Sequence, residues 1–139
     1  YLSQVIVPTV IDADGIYALG KNPKVTSNKP SLITPHSYEF FILTGRKVAN
    51  LFNEEKIKIV REEAARLKTT ILLKGETDII SNGENTALVK AGSPLMTVGG
   101  TGDTLAGIAG ALMARGISPF EAGQAAALIN GLAGAKAGE

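Results

Sequence analysis

The run Val98-Gly99-Gly100-Thr101-Gly102-Asp103-Thr104 constrains this chain more than any other. Three glycines within four positions lead straight into a stretch where Leu105, Ile108, Ala109, Leu112 and Met113 fall at the i, i+3, i+4, i+7, i+8 spacing of one buried helical face. A glycine-rich turn that opens a helix leaves the first backbone N–H groups without intrahelical acceptors, at the helix's positive end. Gly99, Gly100, Thr101 and Gly102 therefore read as an anion hole for a phosphate or another oxyanion. Asp103 puts a carboxylate at the same place. It reads as the helix N-cap, a position Asp fills well, or as a general base that takes a proton from a substrate hydroxyl as a phosphoryl group arrives. Spacing leaves both open.

The chain has 139 residues, enough for one domain with a real core. Its 45% hydrophobic content is that of a globular chain. A net charge of +1 gives no electrostatic case for nucleic acid, and no apolar run approaches a membrane span. The absence of cysteine excludes disulfides, thiolate metal sites and cysteine nucleophiles, and it fits a reducing, cytoplasmic setting. Tyr1 is not an initiator methionine, and Tyr1 to Ile6 reads like the end of a helix already under way. The expectation is a piece of a longer protein.

Pro8 to Asp12 has the form of a short buried strand, and the carboxyl ends of such strands carry ligand sites in open α/β sheets. Asp12 and Asp14, just past it, are candidates to hold Mg²⁺ through water. Alternatively they cap the short helix through Leu19, the reading that suits Asp14 better. Gly20 to Pro30 reads as a surface loop. Ser31 to Thr34 forms a second strand, and Ser37 to Leu43 a helix closed by Gly45. His36, the one histidine, stands at that junction as a cap or a ligand, with Glu39 one turn on. Asn53 to Lys68 is a helix capped by Asn53, with Ile57, Val60, Ala64 and Leu67 inward and a solvated charged face. The strand Thr70 to Leu73 ends in Lys74-Gly75, where the lysine neutralises a phosphate or merely solubilises a strand end. Asp78–Ser81 and Thr86–Val89 across Asn82-Gly83 form a β-hairpin. A loop through Gly92 and Pro94 then reaches the glycine-rich turn. Ser118-Pro119-Phe120-Glu121 has the form of a capping box. The Ala- and Gly-rich helix it opens, to about Lys136, is small or apolar on nearly every side and is expected to be buried. This order of elements predicts an α/β layered domain with a largely parallel sheet.

Four motifs line up: Val10-Ile11-Asp12-Ala13-Asp14-Gly15, Thr34-Pro35-His36 with Glu39, Leu73-Lys74-Gly75 with Asp78, and Gly99-Gly100-Thr101-Gly102-Asp103. Together they resemble the ADP/ATP-dependent NAD(P)H-hydrate dehydratases of the ribokinase-like superfamily, over essentially the whole chain. The resemblance implies a ribokinase-like three-layer α/β/α sandwich, of which residues 1–139 would be the carboxyl-terminal part. It implies repair of hydrated NADH and NADPH by phosphorylation of the ring hydroxyl and loss of phosphate. On that mapping His36 and Asp103 would contact the hydrate, with Asp103 the catalytic base. Lys74, Gly75, Glu76, Thr77, Asp78 and Gly102 would bind the nucleotide, ADP or ATP, with Mg²⁺ accompanying it. No residue is assigned as a direct metal ligand. Family members carry a further amino-terminal half that also contacts the substrate, are often multimeric, and can be fused to an NAD(P)H-hydrate epimerase domain. Tyr38 stands where a small residue is common in the family.

Two other readings stay open at this point. One is a small-molecule kinase of the same superfamily, acting on a sugar or vitamin-precursor alcohol, against which the Thr-Pro-His motif speaks. The other is a non-catalytic assembly domain, against which the retained Asp103, Lys74 and His36 speak.

Overall fold

The computed structural model describes residues 1–90 and 100–138. Short β-branched and leucine-rich runs form five strands: β1 (Thr9–Ile11), β2 (Ser31–Ile33), β3 (Thr70–Leu73), β4 (Asp78–Ser81) and β5 (Thr86–Val89). Five helices connect or cover them: α1 (Asp14–Leu19), α2 (Ser37–Thr44), α3 (Asn53–Leu67), α4 (Thr101–Ala114) and α5 (Pro119–Ala137). The strands lie in chain order, β1-β2-β3-β4-β5. The first three are parallel, whereas β3, β4 and β5 pair antiparallel. The expectation of a largely parallel sheet thus holds for β1 to β3. The hairpin then reverses the chain within the sheet.

Alternation along each strand sends side chains to two cores. Ile33, Ile71, Leu73 and Ile79 face one side, against Ile16, Phe40, Val60 and Leu67 of α1, α2 and α3. Leu32, Leu72 and Ile80 face the other, against Leu105, Ala109 and Met113 of α4 and Ala122 and Ala126 of α5. The result is the expected three-layer α/β/α arrangement. A large-to-small change at any of these leucines or isoleucines costs about 2–5 kcal/mol. The hairpin turn packs onto α3 so closely that a Cβ on Gly83 would lie 2.7 Å from Ala65 Cα, and its φ of +93° also requires glycine. Asn82 Oδ1 accepts the N–H groups of Glu84 and Asn85, fixing the turn.

Several local expectations are corrected. The cap of α3 is Phe52, with no side-chain cap bond, and Asn53 is already the first helical residue. Similarly, α1 starts at Asp14 behind Ala13, so neither Asp12 nor Asp14 caps it through a side chain. The charged face of α3 is not simply solvated: Glu63 is buried and paired with Arg46 and Arg66. Residues 23–26 inside the expected loop make a 3-10 turn that buries Thr26. Helix α5 buries only the face carrying Ala122, Gly123, Ala126, Ala127 and Gly131. On its other side Leu128, Ile129 and Leu132 are about half exposed, at 47%, 47% and 58%. Ser118 does cap α5 through the Glu121 N–H, as the sequence pattern predicts.

Candidate functional site

Because β1, β2 and β3 run parallel, their carboxyl ends open on one edge of the sheet. The residues just beyond those ends meet there. The Lys74 ammonium donates to Asp12 Oδ1 at 2.9 Å and lies 3.9 Å from Glu39 Oε2. Thr34 Oγ1 donates to the same Asp12 oxygen at 2.8 Å. The backbone N–H of Lys74 donates to the Pro35 carbonyl, which ties the end of β3 to the end of β2. One cation thus faces two carboxylates, Asp12 just past β1 and Glu39 in the first turn of α2, all three side chains being largely buried.

His36 caps α2. Its Nδ1 accepts from the Tyr38 and Glu39 N–H groups, and the Glu39 carboxylate accepts the His36 N–H at 2.8 Å, a reciprocal capping box. An accepting Nδ1 carries no proton, so the neutral ring holds its proton on Nε2, which lies 3.5 Å from Glu39 Oε1. About half of the imidazole surface remains open to solvent. The capping role and the exposed ring therefore coexist: the cap fixes the ring's orientation while leaving its face accessible.

The amino terminus of α4 borders this cluster. A Cβ on Gly102 would stand 3.5 Å from Lys74 Nζ and 3.7 Å from Asp12 Oδ2, so backbone, lysine and carboxylate converge at Gly102. Gly100 occupies the cap with φ +98°, a left-handed conformation that glycine adopts freely, and it contributes no side-chain cap. Asp103 sits in the first turn, exposed, and accepts no cap bond. The reading of Asp103 as the N-cap is therefore corrected: the cap is Gly100, three residues earlier. Asn130 of α5 donates to the Thr101 carbonyl and steadies the first turn. The Gly99 position of the expected anion hole, and the loop through Gly92 and Pro94, lie outside the described residues.

The Lys74–Asp78 run divides in two. Gly75 N–H donates to Asp78 Oδ1 at 3.0 Å, closing a tight turn between β3 and β4. Burial raises the Asp78 carboxyl above its ordinary value, and the Gly75 N–H and the Lys74 charge oppose that rise. Glu76 and Thr77 line a cavity of about 300 Å³ beside the start of α3.

The structure therefore brings Lys74, Gly102 and His36 with its partner Glu39 toward one edge. It adds Thr34 and sets Asp12, read from the sequence as a candidate to hold Mg²⁺, directly against Lys74. The signal for Asp12 was its place at a strand's carboxyl end. No spacing links it to Lys74, 62 residues on. Among the described residues no group of three or more His, Cys, Asp or Glu side chains could hold a metal ion.

The family model described as NAD(P)H-hydrate dehydratase matches residues 1–139. A bifunctional NAD(P)H-hydrate repair enzyme Nnr from Hyperthermus butylicus is 48% identical over 94% of this chain and 25% of its own length. An ADP-dependent (S)-NAD(P)H-hydrate dehydratase from Nitrosopumilus maritimus is 50% identical, over 78% of this chain and 37% of its own. Among solved structures, an ADP/ATP-dependent NAD(P)H-hydrate dehydratase from Bacillus subtilis, co-crystallized with ATP/Mg²⁺ and soaked with CoA, superposes with a TM-score of 0.75. It is 28% identical, covering 94% of this chain and 48% of that one. The chain thus spans between a quarter and about half the length of these proteins.

Proposed function

The chain belongs to the NAD(P)H-hydrate dehydratase family, and from that premise we propose that the full protein restores hydrated NADH and NADPH to NADH and NADPH, with ADP or ATP as phosphoryl donor. The observation that carries the reading is the convergence of Lys74, Asp12 and Gly102 at the start of α4, with Asp103 exposed in that helix's first turn.

Each residue then has a physical task. Lys74 and the first turn of α4 offset the charge of the phosphoryl group in transfer, which is chiefly a problem of positioning and electrostatics. Asp103, acting as base, takes the proton of the hydrate's ring hydroxyl as its oxygen attacks the terminal phosphorus, whose bond to the bridging oxygen breaks so that AMP (from ADP) or ADP (from ATP) leaves. Expulsion of phosphate from the ring carbon, with loss of the neighbouring carbon's proton, restores the double bond. His36, held by its capping box, offers an oriented Nε2–H to the hydrate. Asp12 and Glu39 hold the Lys74 ammonium in place. Lys74, Gly75, Glu76, Thr77, Asp78 and Gly102 bind the nucleotide in this reading, and the α4 entry serves as the anion hole.

The donor set fits a Mg²⁺ ion carried by the nucleotide. Mg²⁺ keeps most of its waters and takes one or two carboxylates plus phosphate oxygens, so it does not need a protein cage. Asp12 is the carboxylate that would hold it through water, and the ion would supply neutralisation of phosphate charge.

Residues 1–139 form the carboxyl-terminal part of one such domain in this proposal. The full protein is a cytoplasmic homo-oligomer, and fusion to an epimerase domain accords with the bifunctional relatives. Among the described residues no helix is long and apolar enough to cross a membrane.

The test is recovery of reduced-nicotinamide absorbance when the full-length protein meets hydrated NADH, Mg²⁺ and either ADP or ATP. Recovery that requires nucleotide supports the reading and names the donor. A folded full-length protein that gives none overturns it.

A further inference from the structure

Helices α1 and α2 both begin at the sheet edge that carries the site, α1 just past Asp12 and α2 just past His36. They pack on the face opposite α4. Contacts cross that edge from one face to the other in a continuous line. Gly102, at the start of α4, borders Lys74. Lys74 lies 3.9 Å from Glu39, and Glu39 lies 3.5 Å from His36 Nε2. His36 Nδ1 in turn accepts the Tyr38 N–H at 3.2 Å. Two more rings adjoin Tyr38: Tyr17 of α1, at 6.5 Å between centroids, and Phe41 of α2, at 6.4 Å.

Neither tyrosine belongs to the four motifs that mark the family, and the reaction steps leave both unused. Core packing does not account for them either. Ile16, Leu19, Phe40 and Leu43 of the same two helices fill the core, whereas Tyr17 and Tyr38 are 42% and 58% exposed. The Tyr38 ring is nonetheless held, tilted by 52° to Tyr17 and by 37° to Phe41. An exposed aromatic ring with its rotamer fixed by neighbours costs little further ordering when a flat ligand stacks on it. Lys47, whose ammonium stands 5.7 Å from the centre of the Phe41 ring, adds a cation beside these rings.

We propose that Tyr38, backed by Tyr17 and Phe41, is the surface on which the second base of the dinucleotide substrate stacks. The inference rests on the dehydratase reading, which sets the hydrated ring between Asp103 and His36. In that reading Lys74 and the α4 entry are taken by the phosphoryl donor, so the rest of the hydrate leaves past the half-exposed His36 ring, toward α1 and α2. A dinucleotide carries a flat aromatic base beyond its pyrophosphate, and such a base stacks well on an aromatic side chain. The site thus prefers a hydrated dinucleotide to the hydrate of the mononucleotide, which has the same reacting atoms and no second base.

Steady-state kinetics of the full-length protein with the hydrates of NADH and of reduced nicotinamide mononucleotide test it, in wild type, Tyr38→Ser and Tyr38→Phe. Wild type is expected to show the lower KM for hydrated NADH. Tyr38→Ser raises that KM about tenfold, equivalent to ~1.4 kcal/mol, and narrows the ratio between the two hydrates by a similar factor, with the loss in KM rather than kcat. Tyr38→Phe keeps the ring and the ratio. Equal KM values in wild type, or a Tyr38→Ser ratio within twofold of wild type, overturn the proposal. Calorimetric titration with NADH and with the reduced mononucleotide, neither of which reacts, reads the same ratio without turnover. Wild type whose binding shows this preference, lost in Tyr38→Ser, but which restores neither hydrate overturns the dehydratase reading and leaves the stacking surface standing.

Discussion

Replacing Lys74 by methionine removes the single charge that lies 2.9 Å from Asp12 and 3.9 Å from Glu39. The side chains of Lys74, Asp12 and Glu39 are 22%, 14% and 6% exposed, so solvent screens them incompletely. At an effective dielectric of about 20 the closer pair has a gross attraction of ~6 kcal/mol. Desolvation of the two charges offsets most of that in the intact protein. Removing one partner leaves the desolvation of the other uncompensated, and Lys74→Met is expected to destabilise the fold by about 3 kcal/mol. Asp12→Asn combined with Lys74→Met takes away both charges, while the asparagine oxygen still accepts from Thr34. The double variant is expected to recover part of that loss, because the two sites are directly coupled, while Glu39 still lacks its cation. Turnover follows a different course: it falls in the single variant and stays low in the double, since the phosphoryl group has lost its cation. Urea unfolding of the full-length protein, followed by circular dichroism, reads stability; nucleotide-dependent recovery of reduced nicotinamide reads turnover. A single variant within about 0.5 kcal/mol of wild type, a range typical of uncoupled surface changes, would refute the electrostatic argument. A double variant with wild-type turnover would remove Lys74 from phosphate stabilisation.

Asp103→Asn is expected to lower kcat by about 10²- to 10⁴-fold, the usual share of a general base, with little change in nucleotide KM. Its stability should shift by less than about 1 kcal/mol, because the side chain is exposed and makes no cap bond; steady-state kinetics showing full activity would end its assignment as base. Asp78→Asn should stabilise the protein at neutral pH. Burial raises that carboxyl above its ordinary 3.8, so its contribution is complete below that pH and is lost as pH rises through the folded value. In a series of unfolding curves the advantage of the variant should therefore grow from about pH 4 upward, and an advantage independent of pH would contradict the burial argument. Ala13→Gly relieves a backbone held at φ 47°, ψ −123° between Asp12 and α1. Strain of about 1–3 kcal/mol outweighs the ~0.4–1 kcal/mol entropic cost of glycine, so a rise in the denaturation midpoint is expected. A lower midpoint would show that Ala13 is unstrained.

Much of this architecture was legible because its signals are local. The apolar run Thr70–Leu73 and the hairpin at Asn82-Gly83 fix neighbouring geometry within a few residues, and so does the Gly45 cap of α2. Helix starts were misplaced by one residue at Asp14 and Asn53, because a polar residue at the first helical position looks the same in sequence as one at the cap. One of the two Glu63 pairs is with Arg46, which reaches α3 from outside the helix, so the helical pattern of α3 alone could not show that Glu63 is buried. Composition likewise misjudged α5: a helix small on every side can be buried on every side, but the sheet and α4 cover only one. At the site, the glycine-rich turn and Lys74 were visible as motifs. The Asp12–Lys74 contact depends on three strands lying side by side and became visible only in three dimensions.

The three-residue length of β1 has a consequence for how the site fails. Asp12 follows directly on that strand, and the pairing of Thr9, Val10 and Ile11 with Ser31, Leu32 and Ile33 sets its height against Lys74 at the end of β3. A slip of one residue moves Asp12 by about 3.3 Å along the strand and turns Val10 and Ile11 to the opposite faces, enough to break the 2.9 Å contact with Lys74. Ile11 packs in one core and Val10 against the other. The two cores thus act as the gauge that keeps the ion pair in register, and a core substitution far from Lys74 can detune the site without unfolding the molecule.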